Sequence, residues 1–515
     1  MSSVLPLELL LIVAESLNAR DLHAFVRGAP FMAGNLTYTR HLLAAADAGG
    51  NHLVHLLARN GEDALLGLLF PDGDIAGSGS NFILRHKQAL LTRSANAKGA
   101  TSLLLAAEGG HMAVVQRILR WPDVDVNHQD HDGCRAVELA AKEGHTEIVS
   151  LLLNRPESTL DWNHSRRSNP LCLAVANGHE ETVRRMLERH GHQISVNSRA
   201  VNGHTPLCHA IVGGCDALIE LLAQQPGLDV NLPIDFAATA LHLAARHQNE
   251  TAVKAILAHP SVDPNCQNLY GQTALNEAVY LSGQATVDLL LGDPRTDVNI
   301  GNCTGASALV SAVKKGQEWA IRRVLERHDV AADQPDHWGM NALSWAAFLG
   351  RAGVVQMLLD REDVDPGVQD EDGLAPLSMA TQRGWYQVAA VLLMHPKVDV
   401  NAEDNFGWTA LAHARNAPID QSGPLMMLLL THGATMTLYP EMSINFETLA
   451  EAEIALDLVK AMVTDQDLEG YMTRRFGQER TQRAYDNGEM GVRELLFRQT
   501  RANDRRISGM FGGFF

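Results

Sequence analysis

Apolar side chains return to one slot every 34 residues through most of the chain. The series is Leu103, Val137, Leu171, Leu207, Leu241, Leu275, Leu309, Leu343, Leu377 and Leu411, with a single step of 36 between Leu171 and Leu207. A period of this length marks stacked supersecondary units, each too small to bury its apolar face without a neighbour. The unit is clearest from Ala238 to Asn265. Thr239 to Ala245 opens a short helix, and Asn249 is placed to cap a second, in which Val253, Ile256 and Leu257 share one apolar face. Pro260 stops that helix, because proline lacks an N–H and disfavours helical geometry before it. The same stop recurs at Pro122, Pro156, Pro226, Pro294 and Pro396.

Extended stretches follow these stops, as at Val124–Asn127, Leu228–Asn231 and Val398–Asn401. Each leads to a turn closed at Gly99, Gly133, Gly203, Gly271, Gly305, Gly339, Gly373 or Gly407, where a left-handed backbone is expected. Arg167 and Ala237 replace the turn glycine in two units, and those turns are expected to be looser. Ala106, Ala140, Ala174, Ala210, Ala244 and Ala278 recur on the first helix, where small side chains let layers approach closely.

Thr205-Pro206-Leu207-Cys208-His209-Ala210 and Thr239-Ala240-Leu241-His242-Leu243-Ala244, with Gly110-His111, Gly144-His145 and Gly178-His179 heading the second helices, resemble the ankyrin repeat. The resemblance implies an all-α solenoid of about ten or eleven helix-turn-helix units with β-hairpin-like turns, covering 96–434. It further implies that His111, His145 and His179 satisfy backbone groups between units, and that turn tips and first helices form a concave face used for protein partners. A degenerate first unit is expected at 41–61, with Leu43–Ala46 and Leu53–Leu57 as its two helices. Residues 62–95 break the period, and Pro71-Asp72-Gly73 and Gly77-Ser78-Gly79-Ser80 mark that insert as a loop.

Ahead of the repeats, residues 1–40 contain Leu5-Pro6-Leu7-Glu8-Leu9-Leu10-Leu11-Ile12, then Leu17, then Asp21-Leu22. This run resembles the opening of the F-box. The resemblance implies a short helical element docking on the Skp1 adaptor of a cullin ubiquitin ligase, with Leu5, Pro6, Leu9, Leu10 and Ile12 as the docking surface. Gly28, Ala29 and Pro30 interrupt the second half of the pattern. An amphipathic cap over the exposed end of the repeat array also fits the residues, and the sequence leaves both readings open.

Composition narrows the function. A net charge of −18 argues against non-specific nucleic-acid binding, which needs clustered Lys and Arg. The six cysteines form no C-x-x-C pair, and no secretory leader or apolar run of membrane-spanning length is visible. An intracellular protein, cytoplasmic or nuclear and monomeric on its own, is expected. Past Ala434 the register is lost, and 435–515 reads as a helical cap with a tail. Phe446–Val463 and Met490–Thr500 carry helical patterns, and Tyr471–Phe515 holds nine arginines against five acidic residues.

Catalytic signals are weak. His179-Glu180-Glu181 begins a zinc motif, but Val183 stands where the second histidine ligand would be. No phosphate loop or dinucleotide turn occurs, so neither an enzyme activity nor a cofactor or metal site is expected. Binding candidates are better defined. The slot before the turn glycine holds Phe236, Tyr270, Trp338 and Phe406, with Trp408 just past Gly407. These five aromatics are expected to form an interrupted strip on the turn tips that contacts a protein partner, because aromatic side chains bury large area at low entropy cost. Packing between neighbouring turns is the competing role for the same rings. The functional expectation is therefore a protein-binding array, either the substrate receptor of a ubiquitin ligase or a scaffold without that link.

Overall fold

The computed structural model describes residues 17, 19–28, 46–70, 91–121, 123–156, 169–191, 194–200, 202–415 and 417–435. The chain divides into two compact units, Met1–Ser311 and Ala312–Phe515. Within the described residues, helices come in antiparallel pairs of an inner and an outer helix, from Leu53–Arg59 with Asp63–Leu69 to Ala410–Arg415 with Ile419–Thr431. Eleven such pairs follow one another, so the all-α repeat architecture expected from the period is the architecture found. In each unit, inner helices pack on inner helices and outer on outer.

The periodic slots are the interfaces of this stack. Leu241 is 2% exposed, and Ala106, Ala140, Ala174, Ala210, Ala244 and Ala278 are fully buried. Inner helices start where a side chain satisfies an orphan amide. Asn169 accepts from the Cys172 amide at 2.7 Å and Thr205 from that of Cys208 at 3.3 Å, each with proline at the first helical position. Asn249 caps its outer helix as expected, accepting from the Ala252 amide at 2.8 Å. The step of 36 has a local cause: the outer helix Glu180–His190 has 11 residues, against eight in Thr146–Leu153 and Asp216–Ala223.

Turns stack as well as helices. Asx side chains open the turns at Asn96, Asp130, Asn268, Asn302, Asp336, Asp370 and Asp404, and each accepts backbone amides two or four residues on. The turns then bond to each other, as from the Leu269 amide to the Phe236 carbonyl at 2.8 Å and from Cys303 to Tyr270 at 2.9 Å. Asparagines of the expected extended stretches tie units together: Asn231 accepts from the Asp263 amide at 2.9 Å and donates to the Ser261 carbonyl at 2.7 Å. Those stretches are not strands, since Val230 and Asn231 already lie in a turn, and the described residues hold only two isolated bridges.

Two expectations need correction. Leu53–Arg59 is the inner helix of the first pair, not its second, and Asp63–Leu69, placed in the insert by sequence, is the outer one. Ala46 pairs with His52 across the turn, so it does not end a helix. The slot residue of this pair is Val54, 49 positions before Leu103, because extra residues separate the outer helix from the next turn. The turn at Ala237 is also not loose. Phe236 and Ala237 both take left-handed φ values, 55° and 56°, and the closing bond from the Ile234 amide to the Ala238 carbonyl survives at 2.7 Å. Non-glycine residues there store strain instead of relaxing the turn. Arg167, Leu43–Ala45 and the tail segments Phe446–Val463 and Met490–Thr500 lie outside the described residues.

Candidate interaction surface

Turn tips carry the largest exposed apolar side chains of the first unit. Phe236, Leu269 and Tyr270 are 62%, 69% and 55% exposed. Phe236 and Tyr270 stack with ring centroids 6.2 Å apart, and the strained turn below them fixes where Phe236 projects. Leu269 was not singled out from sequence, because it lies two residues before the turn glycine and outside the aromatic slot. In the second unit, Phe406 is 73% exposed. Trp338 and Trp408 are half-buried: Trp338 meets Trp345 edge-on at 6.2 Å, and Trp408 lies 5.4 Å from His413. Sequence spacing thus placed all five aromatics at turns, whereas their exposure divides them into three outward rings and two that pack on their own inner helices.

Behind Trp338 lies a cluster that sequence spacing did not reveal. Lys314 places its ammonium 3.9 Å from the Trp345 ring centroid and 5.0 Å from that of Trp338, with Asp336 Oδ2 at 3.4 Å. The Trp345 indole N–H donates to the same carboxylate oxygen at 2.8 Å. Burial pulls the Lys314 pKa below the usual lysine value, and the Asp336 charge opposes that fall. Asp404 repeats the arrangement with His413, whose Nε2 lies 2.9 Å from Oδ2. Burial works to raise the Asp404 pKa, but bonds from His413, Trp408 and Phe406 outweigh it and hold the carboxyl below its ordinary value. Asp336 and Asp404 thus each join a turn to the inner helix that follows it, and Lys314 ties the first of these turns to the preceding inner helix.

Histidines do structural work. His111, His145 and His179 each set Nε2 against a carbonyl of the preceding unit, Arg59, Glu108 and Lys142, at 2.8, 3.0 and 2.8 Å. Trp385 takes the same position in the second unit, its indole N–H donating to the Phe348 carbonyl at 3.0 Å. The glycines before His111 and His145 also make room for the next unit: a Cβ on Gly110 or Gly144, both at positive φ, would come 2.4 Å from the ring of His145 or His179. Among the described residues, no cluster of three or more His, Cys, Asp or Glu is arranged to hold a metal ion. No helix among them is long and apolar enough to cross a membrane.

A family model described as ankyrin repeats, in three copies, matches residues 31–165, 157–234, 227–302, 281–370 and 353–438. This chain belongs to the ankyrin-repeat family. Among solved structures, the ankyrin repeat protein EF0377 is similar at 23% identity, covering 39% of this chain and 98% of its own, with a TM-score of 0.35. The ankyrin repeat domain of Bcl-3, a member of the IkappaB protein family, is similar at 22% identity, covering 51% of this chain and 98% of its own, with a TM-score of 0.35. No curated protein matches the chain. Ankyrin repeats are a protein–protein interaction module.

At the amino-terminal end of the ankyrin array, the helix Ala19–Gly28 packs on the first inner helix, Leu53–Arg59. Leu22 and Val26 are fully buried there, and Arg27 pairs with Glu62 at 3.2 Å. Asp21-Leu22, the downstream half of the F-box-like pattern, is therefore on a helix seated against the ankyrin repeats. Leu5, Pro6, Leu9, Leu10 and Ile12 lie outside the described residues.

Proposed function

We propose that this chain is a substrate receptor: an ankyrin array that holds a protein, joined at its amino terminus to a Skp1-like adaptor of a cullin ubiquitin ligase. The observation that carries this reading is the F-box-like series Leu5-Pro6 through Ile12 followed by Asp21-Leu22 on a helix fixed to the first repeat. An adaptor bound at Leu5, Pro6, Leu9, Leu10 and Ile12 would sit within a few residues of the array. Such a receptor contributes proximity, raising the effective concentration of substrate lysines near the conjugating enzyme. On the array, Phe236, Tyr270, Trp338, Phe406 and Trp408 are the proposed partner contacts, led by the three outward rings.

A second reading has its own support. Leu22 and Val26 bury their side chains on the repeats, as a terminal cap would, and a capped array without the ligase link is a plain scaffold. Recovery of purified Skp1 by the full chain separates the two. The receptor reading expects recovery with wild type, a loss of at least about tenfold with Leu9→Asp plus Leu10→Asp, and an unchanged melting temperature. No recovery at micromolar concentrations, with a lowered melting temperature in the variant, would leave only the cap.

A further inference from the structure

The last two outer helices of the second unit, Tyr386–Leu393 and Ile419–Thr431, border an open groove of about 1160 Å³. Trp385, Tyr386, Pro424, Met427 and Leu428 give it apolar walls, and Arg383 is its one charged lining residue. The walls are preformed. Trp385 is pinned by its bond to the Phe348 carbonyl, and its ring fills the space over Gly350, where a Cβ would come within 2.6 Å. Yet Trp385 and Tyr386 remain 42% and 40% exposed. The volume exceeds the roughly 300–1,000 Å³ of small-ligand pockets, so an open trough of this size suits a segment of polypeptide.

Charge sets the sign of the occupant. The inner helices Ala308–Lys315, Ala342–Phe348, Pro376–Arg383 and Ala410–Arg415 carry Lys314, Lys315, Arg383 and Arg415 and no acidic residue. Cations in a last helical turn are ordinary, because the macrodipole favours them there. Arg383 differs from the rest. Its guanidinium lies over the Phe348 ring, 4.1 Å from the centroid, and the side chain is half-buried. Phe348 meets Trp345 edge-on at 5.7 Å, and Lys314 covers Trp345 from the preceding inner helix. Lys314 has the Asp336 carboxylate, whereas Arg383 has no ion pair or hydrogen bond among the described residues. Burial alone pulls its pKa below the usual arginine value. A guanidinium whose face is covered by a ring still presents the N–H groups of its edge to a carboxylate.

We propose that this groove binds an acidic segment of a partner protein, with apolar side chains against Trp385, Met427 and Leu428 and a carboxylate on Arg383. The proposal gives a partner chemistry to an array already read as holding a protein, and it rests on that reading. A basic segment would bring a second cation beside a half-buried guanidinium, where like charges repel. An uncharged one would cover the guanidinium and leave its donors unpaired. The net charge of −18 does not reverse the sign. Exposed charges more than about 8 Å away are largely screened at physiological ionic strength, and no acidic residue lines the groove.

Fluorescence anisotropy of the full chain with a labelled amphipathic peptide of leucine and glutamate tests this. Wild type should bind that peptide at least about tenfold more tightly than the same peptide with lysine for every glutamate. Arg383→Gln should weaken the glutamate peptide about tenfold. Tyr386→Asp, which puts a carboxylate on an exposed part of the wall, should weaken it as much without moving the melting temperature. Bound peptide should slow hydrogen exchange in Ile419–Thr431 and leave the inner helix Ala240–Arg246 unchanged. Equal binding of the two peptides, equal binding by wild type and Arg383→Gln, or no binding at about 100 µM overturns the proposal. So does self-association of wild type that Tyr386→Asp abolishes, which would assign the groove to a second copy of the chain. Protein capture by the same wild-type sample keeps the two readings apart: capture without peptide binding removes only the groove, whereas loss of both removes the role of the array as well.

Discussion

Replacing Leu241 by alanine should lower the free energy of unfolding by about 2–5 kcal/mol, the range found for buried leucines truncated in packed cores. Leu241 is 2% exposed on the inner helix Ala240–Arg246, and this helix packs on the inner helices before and after it, Pro206–Gly213 and Ala274–Tyr280. A cavity there weakens the layer itself and both of its interfaces, and a repeat array has no distant contacts to compensate. Leu269→Ala is the matched control: the same deletion at a side chain 69% exposed should change stability by no more than about 0.5 kcal/mol. Urea denaturation of both variants gives the comparison. Equal midpoints would mean that the 34-residue slot is not the core of the stack.

Acid should destabilise the first unit through its buried histidines. His55 is fully buried, with Nδ1 accepting the His52 amide at 2.9 Å and Nε2 bonded to the Ser94 carbonyl at 3.0 Å. Both ring nitrogens are committed in the neutral form, and protonation would remove the acceptor. Burial is the chief cause that brings its pKa down to about 4; the Ser94 bond and Asp47 raise it against that, and His52 lowers it further. His242 has the same geometry, bonded to the Thr239 amide at 3.1 Å and the Gln272 carbonyl at 2.9 Å, and burial lowers its pKa too. The sign follows from linkage. The unfolded chain takes up a proton as pH falls below 6.5, while the folded chain resists until near 4, so stability present above 6.5 is lost across that window. At pH 5 the loss from His55 alone is on the order of 2 kcal/mol. Denaturation at pH 7 and pH 5 should show it, and His55→Gln should flatten the dependence. An identical pH slope in wild type and variant would contradict the assignment.

The repeat phase was legible because every layer makes the same demand: a leucine for the core, an alanine where helices approach, a glycine where φ is positive. The first unit departs from its sequence expectation for a physical reason. Val54 fills the slot, but residues inserted after Leu69 shift it out of phase, so spacing alone gives Leu53–Leu57 the place of an outer helix. The Asx slot of the turns escaped notice because asparagine and aspartate alternate in it and serve equally as acceptors. Lys314, Asp336, Trp345 and Arg383 were not legible at all. Lys314 meets Trp345, and Arg383 meets Phe348, across successive inner helices, and no local spacing encodes which side chains a layer brings together. Exposure likewise separated Phe236, Tyr270 and Phe406 from the half-buried Trp338 and Trp408, although all five share similar turn positions.

That this chain acts by gripping another protein at its turn tips is tested most directly by quantitative capture with the full chain, comparing wild type with Phe236→Ala plus Tyr270→Ala. Both rings are more than half exposed, so the variant's melting temperature should stay within a few degrees of wild type. The account predicts at least one protein held by wild type and lost by about tenfold or more in the variant. Identical captured proteins from both, with both chains folded, would contradict it.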